Sequence, residues 1–291
     1  GSQSNYAKFL NINRNCVQGY YYARYWHKGK RCMKYLPLWT LKKSLPFISK
    51  EIIENIEKNI ISIRGKGGNR IDRPILPFVE SPAFYRIVAH VIGDGNDSHT
   101  PYYANTCKHL REEFQKDLQI FGKIECYETK STQNPNVFCV NFTKTLTHIL
   151  KHILDIKFTH PDKLPKSIFN APEECKRAFL QALFDDEGTV STCLGIGMKE
   201  KRLIQEIKLL CNSLEIETLN IIPKENVLYT LNIKSTSVLK FRKKIGFSHP
   251  DKYHKLEIRK KIIERNKYRR TRPLEWTRNK IIRLLKENPM C

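Results

Sequence analysis

Ile87–Gly95 reads Ile-Val-Ala-His-Val-Ile-Gly-Asp-Gly, and Leu180–Gly188 reads Leu-Gln-Ala-Leu-Phe-Asp-Asp-Glu-Gly. Each is an apolar run with helical spacing that ends on an acidic residue followed by glycine. The two acids, Asp94 and Glu187, are 93 residues apart. A second pair recurs independently: Phe158-Thr159-His160-Pro161-Asp162-Lys163 returns as Phe247-Ser248-His249-Pro250-Asp251-Lys252, 89 residues later. Two unrelated markers repeating at nearly one period point to a duplicated unit of about 90 residues.

Working outward from the acids, each unit reads alike. The first gives a helix over Pro82–Gly93, strand-like residues over 102–107, and an amphipathic helix over 108–121 closed by Gly122. Residues 124–129 and 137–142 read as a hairpin around Gln133-Asn134-Pro135-Asn136, and helix returns over 146–154. The second unit gives helix 173–186, strand 189–198, helix 200–214, strands 217–222 and 227–233, and helix 237–245. The order is αββαββα twice, an α+β fold with a duplicated core. The expected divisions are 1–78, a helical nucleic-acid-binding flank with a Gly-, Arg- and Pro-rich linker over 63–77; 79–170 and 171–268, the two repeats; and 269–291, a basic helical extension.

The chain has 291 residues, with 52 Lys and Arg against 29 Asp and Glu, a net charge of +23. That excess calls for a polyanionic partner, nucleic acid first, or else reflects charged, solvated faces. Nine cysteines are scattered without the two-residue gap of a zinc knuckle. They read as reduced thiols of a cytoplasmic, nucleoid-associated protein. No apolar run approaches a membrane span. Gly1-Ser2 reads as an added dipeptide rather than a natural start.

At its paired helix ends the sequence resembles the LAGLIDADG homing endonuclease family, of the single-chain type with two motifs. The resemblance runs over about residues 80–255. It implies two helices packed at a pseudo-twofold axis, where small residues (Ala89 and Gly93, Ala178 and Ala182) allow close approach. Gly95 and Gly188 would then leave the helices at positive φ. The acids would converge at the negative ends of both helix dipoles, a placement that a cation relieves.

The resemblance implies Asp94 and Glu187 as catalytic acids and metal ligands, with Gly93 and Asp186 as further ligands. The cofactor would be Mg²⁺, two or three divalent ions, with Mn²⁺ or Ca²⁺ substituting for binding. Asp185 and Asp186, as side chains, would be structural or peripheral. The motif's usual aspartate is Ile92 in the first copy and Asp185 in the second. Lys163, ahead of Leu164-Pro165, and its repeat partner Lys252 would lie by the scissile phosphate; alternatively Pro161 and Pro250 stop helices and the lysines are solvated. His160 and His249 fit turn capping better than acid–base work.

The implied activity is metal-dependent hydrolysis giving a double-strand break at a long specific site, in the context of intron or intein mobility and of an archaeal-like protein. The alternative is a non-catalytic DNA-binding transcription regulator of this origin, or an RNA-binding intron-splicing maturase. The expected partner is double-stranded DNA, with RNA open, bound by a monomer. Outward strand residues, among them Lys123, Glu125, Tyr127, Asn141, Asn232 and Lys234, are candidates for base reading or ordinary solvent-facing positions.

The flanks carry two weaker signals. Ala7, Asn11, Ile12, Val17 and Tyr20 match helix-turn-helix spacing, with Asn11 at the left-handed turn position. Arg14, Asn15 and Gln18 would then face DNA. At the other end Arg259, Lys260, Arg269, Arg270 and Arg272 form a basic run dense enough to meet phosphates, or a solvated helix.

Overall fold

The structure, a computed structural model, describes residues 2–11, 25–27, 30–32, 45–65, 69–154, 161–224, 228–270 and 283. Two helices form its centre: α3 (Pro82–Gly93) and α7 (Glu173–Glu187). Serine at the N-cap and proline at the first helical position start α3: Ser81 Oγ accepts from Phe84 N at 3.2 Å. Phe84, Ile87, Val88, Ala89 and Val91 of α3 are buried, as are Phe179, Leu180, Ala182, Leu183 and Phe184 of α7. α3 buries every residue from Phe84 to Ile92 except Arg86, whereas α7 keeps Glu173, Glu174 and Arg177 exposed. These two cover each other, in the most extensive contact between elements among the described residues.

A four-stranded antiparallel sheet follows each helix. In the first unit, β5 (Gly95–Asn96), β6 (Tyr102–Asn105), β7 (Tyr127–Lys130) and β8 (Phe138–Asn141) lie in the order β5-β6-β8-β7. In the second, β9 (Gly188–Val190), β10 (Leu194–Met198), β11 (Ile222–Lys224) and β12 (Leu228–Asn232) lie in the order β9-β10-β12-β11. The first-second-fourth-third order is the same in both. Helices α4 (Lys108–Leu118) and α8 (Lys201–Ser213) connect the second and third strands of each sheet. Helices α5 (Lys144–Leu154) and α9 (Val238–Lys244) follow the fourth, α6 (Ser167–Asn170) leads into α7, and α10 (Pro250–Arg270) follows α9. The duplicated α+β architecture is thus visible in topology as well as in sequence.

Four expectations need correction. First, the strand expected over 189–198 is a hairpin: Ser191 N donates to Cys193 O at 3.0 Å between β9 and β10.

Second, the glycines after the acids serve close approach, not positive φ. Gly188 has φ −78, and only Gly122 and Gly246 among the described glycines have φ in the left-handed region. A Cβ on Gly95 would fall 2.4 Å from Val91 O, and one on Gly188 the same distance from Phe184 O. The first strand folds directly over the helix end, where no side chain fits.

Third, the flank is not purely helical. Besides α1 (Gln3–Leu10) and α2 (Lys50–Asn59) it holds two hairpins, β1 (Tyr25–His27) with β2 (Lys30–Cys32), and β3 (Ser62–Arg64) with β4 (Arg70–Asp72).

Fourth, that last hairpin lies in the expected linker, yet it is built onto the first repeat. Ile71 is fully buried in the main core. Asp72 and Lys123 exchange backbone hydrogen bonds at 3.0 and 2.7 Å, and Gly65 N donates to Thr145 Oγ1 at 2.8 Å. Ile71→Ala is therefore expected to destabilise the protein by about 2–4 kcal/mol, as for any buried aliphatic truncation. Urea unfolding checks this; a change under about 0.5 kcal/mol, the surface value, would show that 62–72 is a linker after all.

Candidate active site

The two helix ends bring Asp94 and Glu187 together. Asp94 is the C-cap of α3, its N–H donating to His90 O at 3.0 Å; Glu187 is the last residue of α7. Both carboxyls sit at negative dipole ends, partly covered by their own sheets. Burial, then the nearby Asp186 and Glu187, pushes Asp94 up to about 8. Burial, then Asp186, pushes Glu187 up to about 7, while Lys252 and Lys199 pull it back. Asp94 feels the charges of the second half, whereas Glu187 answers to neighbours in its own, and both carboxyls are held toward their protonated forms.

Around the acids lies a polar network that the sequence reading passed over. The Asp186 side chain is fully buried. It meets His90 Nδ1 at 2.8 Å, accepts from Tyr103 Oη at 2.7 Å and accepts from Asn105 Nδ2 at 3.2 Å. Asn105 Nδ2 also reaches Asp94 Oδ2 at 3.2 Å, joining the buried acid to the first catalytic candidate. The imidazole lies tilted on Tyr103, ring centroids 4.7 Å apart, and edge-on to Phe114 at 5.8 Å. Burial alone would lower the His90 pKa, but the Asp186 carboxylate outweighs it and the net shift is upward. A signal was present: His90 is the single polar side chain in an apolar run, and a buried polar group needs a partner.

Asp185 has a different task. Buried in the core, it accepts from Ser248 N at 3.1 and 3.0 Å and from His249 N at 2.9 Å, the two residues just ahead of α10. It ties the segment that leads into α10 to the end of α7. His249, expected to cap a turn, makes no such bond through Nδ1, which is buried without a partner among the described residues. Lys252, one turn on, donates to the carbonyls of Phe184, Asp185 and Asp186 at 3.2, 2.6 and 3.1 Å, closing the C-terminus of α7. Its ammonium is spent on main-chain oxygens within reach of both acids' fields, and burial lowers its pKa. The Asp186 carboxylate thus faces the first half, and its carbonyl is bonded by Lys252.

The remaining candidates are placed as follows. Gly93 packs on Asp186, its missing Cβ only 3.0 Å from Asp186 Cβ. Lys163 is half-buried on the connection into α6; His160 lies outside the described residues. Arg259 turns from the expected phosphate-facing position: its Nη1 donates to Ser191 O and Thr192 O at 2.7 Å, holding the β9–β10 turn. Lys260 is partly exposed on α10. Arg269 and Arg270 fall at the end of α10, and Arg272 lies outside the described residues, as do Arg14, Asn15 and Gln18. Ahead of that last group, α1 ends at Asn11 in the left-handed conformation, φ 56 and ψ 49. Of the strand candidates, Asn141 is buried and donates to Thr129 Oγ1 at 2.9 Å, and Lys234 pairs with Glu217 at 2.9 Å. Tyr127 is exposed. Among the described residues, no group of three His, Cys, Asp or Glu side chains is gathered as a metal cage.

Residues 174–246, wholly within the second repeat, match the family model of the LAGLIDADG-like domain. Among solved structures, the chain is similar to I-DmoI in complex with DNA and Ca, at 16% identity and TM-score 0.45, over 60% of this chain and 97% of that one. It is also similar to full-length DUF199/WhiA from Thermatoga maritima, at 15% identity and TM-score 0.48, over 81% and 73% of the two chains. Among curated proteins, none matches the sequence.

The raised carboxyls make a pH prediction. The ordinary values are 3.8 for Asp94 and 4.5 for Glu187, against about 8 and about 7 in the fold. A carboxyl raised by folding holds its proton longer in the native state. The native state then binds more protons than the unfolded state between the two values, and stability falls as pH rises through that window. Without metal, the protein is expected to be less stable at pH 8 than at pH 5. Asp94→Asn with Glu187→Gln should flatten the profile partly, because Asp185 is raised to about 7 and His90 also upward. Chemical denaturation across pH 5–8 checks the slope; an identical slope in the double variant would mean that these two acids are not held as described.

Proposed function

We propose that this chain, whose residues 174–246 are a LAGLIDADG-like domain, is a metal-dependent DNA endonuclease of the homing type, making a double-strand break at a long specific site. The observation that carries this reading is the meeting of two carboxylates, one from each repeat, at the ends of a single helix pair. Both belong to one polypeptide, so a monomer supplies the whole site.

The donor set suits a hard divalent cation. Burial and the nearby Asp186 hold Asp94 and Glu187 toward their protonated forms, and a bound cation would reverse that balance. Asp94 and Glu187 would hold Mg²⁺, or Mn²⁺ or Ca²⁺, with the main-chain oxygen of Gly93 and the phosphate completing the shell. When bound, the ions supply an activated water and charge stabilisation at the leaving oxygen. The chain's own residues do the rest. Lys252 fixes the end of α7 and sets a positive charge beside both acids, and Asn105 steadies the Asp94 carboxylate. The net charge of +23 draws in the polyanion.

Incubation with a mixed-sequence DNA library and Mg²⁺, followed by sequencing of the new ends, is the direct test. Defined ends that vanish in the Asp94→Asn, Glu187→Gln variant are expected. Specific binding with no cut at any Mg²⁺ or Mn²⁺ concentration would reject the nuclease and leave a binding module. In parallel, Mg²⁺ or Ca²⁺ should raise the melting temperature of the wild type and not of that variant.

Phosphate contact is tested separately. Neutralising Lys260, Arg269 and Arg270 together should reduce the slope of log K against log salt for duplex DNA by about 2–3 units. Arg259 is omitted because it is bound to the β9–β10 turn. An unchanged slope would place this segment away from the nucleic acid.

A further inference from the structure

The repeat gives each residue of one half a counterpart in the other. Aligning Asp94 with Glu187 pairs His90 with Leu183 and Gly93 with Asp186. The strand registers extend the correspondence. Gly95 lies opposite Tyr103 in the first sheet, and Gly188 opposite Ile196 in the second. Tyr103 therefore answers to Ile196, and Asn105 to Met198. The three residues that receive the Asp186 carboxylate are all polar in the first half, and their three counterparts are all apolar. The residue answering to Asp186 is Gly93, the one whose missing Cβ leaves room for the Asp186 side chain.

We infer that Asp186 is a one-way key: the second repeat inserts it into a pocket that exists only in the first, and through Asn105 it holds Asp94 in place while leaving Glu187 unheld, so that the two acids are unequal partners in cleavage. Asn105 bridges the two carboxylates at 3.2 Å to each, so its orientation is fixed by Asp186 as much as by Asp94. Its counterpart Met198 has no polar atom to offer Glu187. Among the described residues, no hydrogen-bond donor reaches the Glu187 carboxylate. His90 and Asn105 are positioning residues here: Asn105 bonds the Asp94 carboxylate directly, and His90 acts on it through Asp186.

The lock itself is independent of catalysis, whereas its effect on the acids rests on the nuclease reading. In metal-free protein, His90→Leu takes the ring partner from the buried Asp186 carboxylate and Asp186→Ala leaves His90 Nδ1 buried and unpaired, and each should lower the melting temperature by roughly 6–15 °C. The double variant should lose clearly less than the sum of the two. Additive losses would overturn the lock, whatever the protein does to DNA.

For the acids, a supercoiled plasmid carrying the site recovered from the library serves as substrate. Wild type should pass through an accumulated nicked circle, one strand being cut faster. Asn105→Met, the residue of the second half, should slow that faster nick at least tenfold with KM unchanged and leave the other strand's rate alone. Equal strand rates in wild type, or equal slowing of both by Asn105→Met, would overturn the inequality. A wild type that never nicks, with the melting losses still non-additive, rejects the nuclease reading and leaves the lock standing.

Discussion

The whole structure depends on the seam between α3 and α7. α3 is buried on nearly every side and α7 over most of its second half, and the sheet and helices of each repeat cover only part of those faces. Each helix therefore needs the other, and neither repeat holds a complete core of its own: the buried residues of both run together into one cluster. Close approach requires small residues, and Ala89, Gly93, Ala178 and Ala182 provide them. With the helices side by side, their C-terminal ends coincide. Two acids then face each other at two negative dipole ends, with a sheet folding back from each over a glycine. The electrostatic tension of the site follows from the packing of the core.

This explains which parts were legible in the sequence. The helices, their start at Ser81-Pro82 and the convergence of Asp94 with Glu187 follow from patterns within a few residues, repeated at a fixed distance. The strand order also follows, once the repeat is recognised. What could not be read depends on partners remote in the chain. Residues 62–72 have the composition of a linker, and only the burial of Ile71 beneath the first sheet makes them part of the core. Asp185 and Asp186 are neighbours of identical chemistry. One holds the two residues, 63 and 64 positions later, that lead into α10, the other fills a pocket 81–96 residues earlier, and nothing local distinguishes them. The β9–β10 turn hides for a related reason: Ser-Thr-Cys is weak turn chemistry, and it is held in part by Arg259 from α10.

The charge distribution carries the same division between global and local. The chain as a whole is strongly cationic, which favours approach of any polyanion. At the helix ends the sign is reversed: Asp94, Asp185, Asp186 and Glu187 gather there with Lys252 as their nearest cation. A purely binding surface has no use for such a reversal, because an acidic patch repels the phosphate that the rest of the protein attracts. Metal-assisted hydrolysis does have one, since the cation that neutralises the acids also meets the phosphate.

The Asp186–His90 pair bears on why the two halves differ. Burying an ion pair seldom adds stability, because the desolvation of both charges offsets their attraction. An apolar pair at these positions, as Leu183 and its surroundings show on the other side, would pack at least as well. The pair instead excludes alternatives. A seam made of two identical faces has more than one way to close, whereas a carboxylate that finds its donors only in the first repeat closes in one register. The cost of the buried charge is balanced against that single arrangement, and the same arrangement breaks the symmetry of the acids it supports.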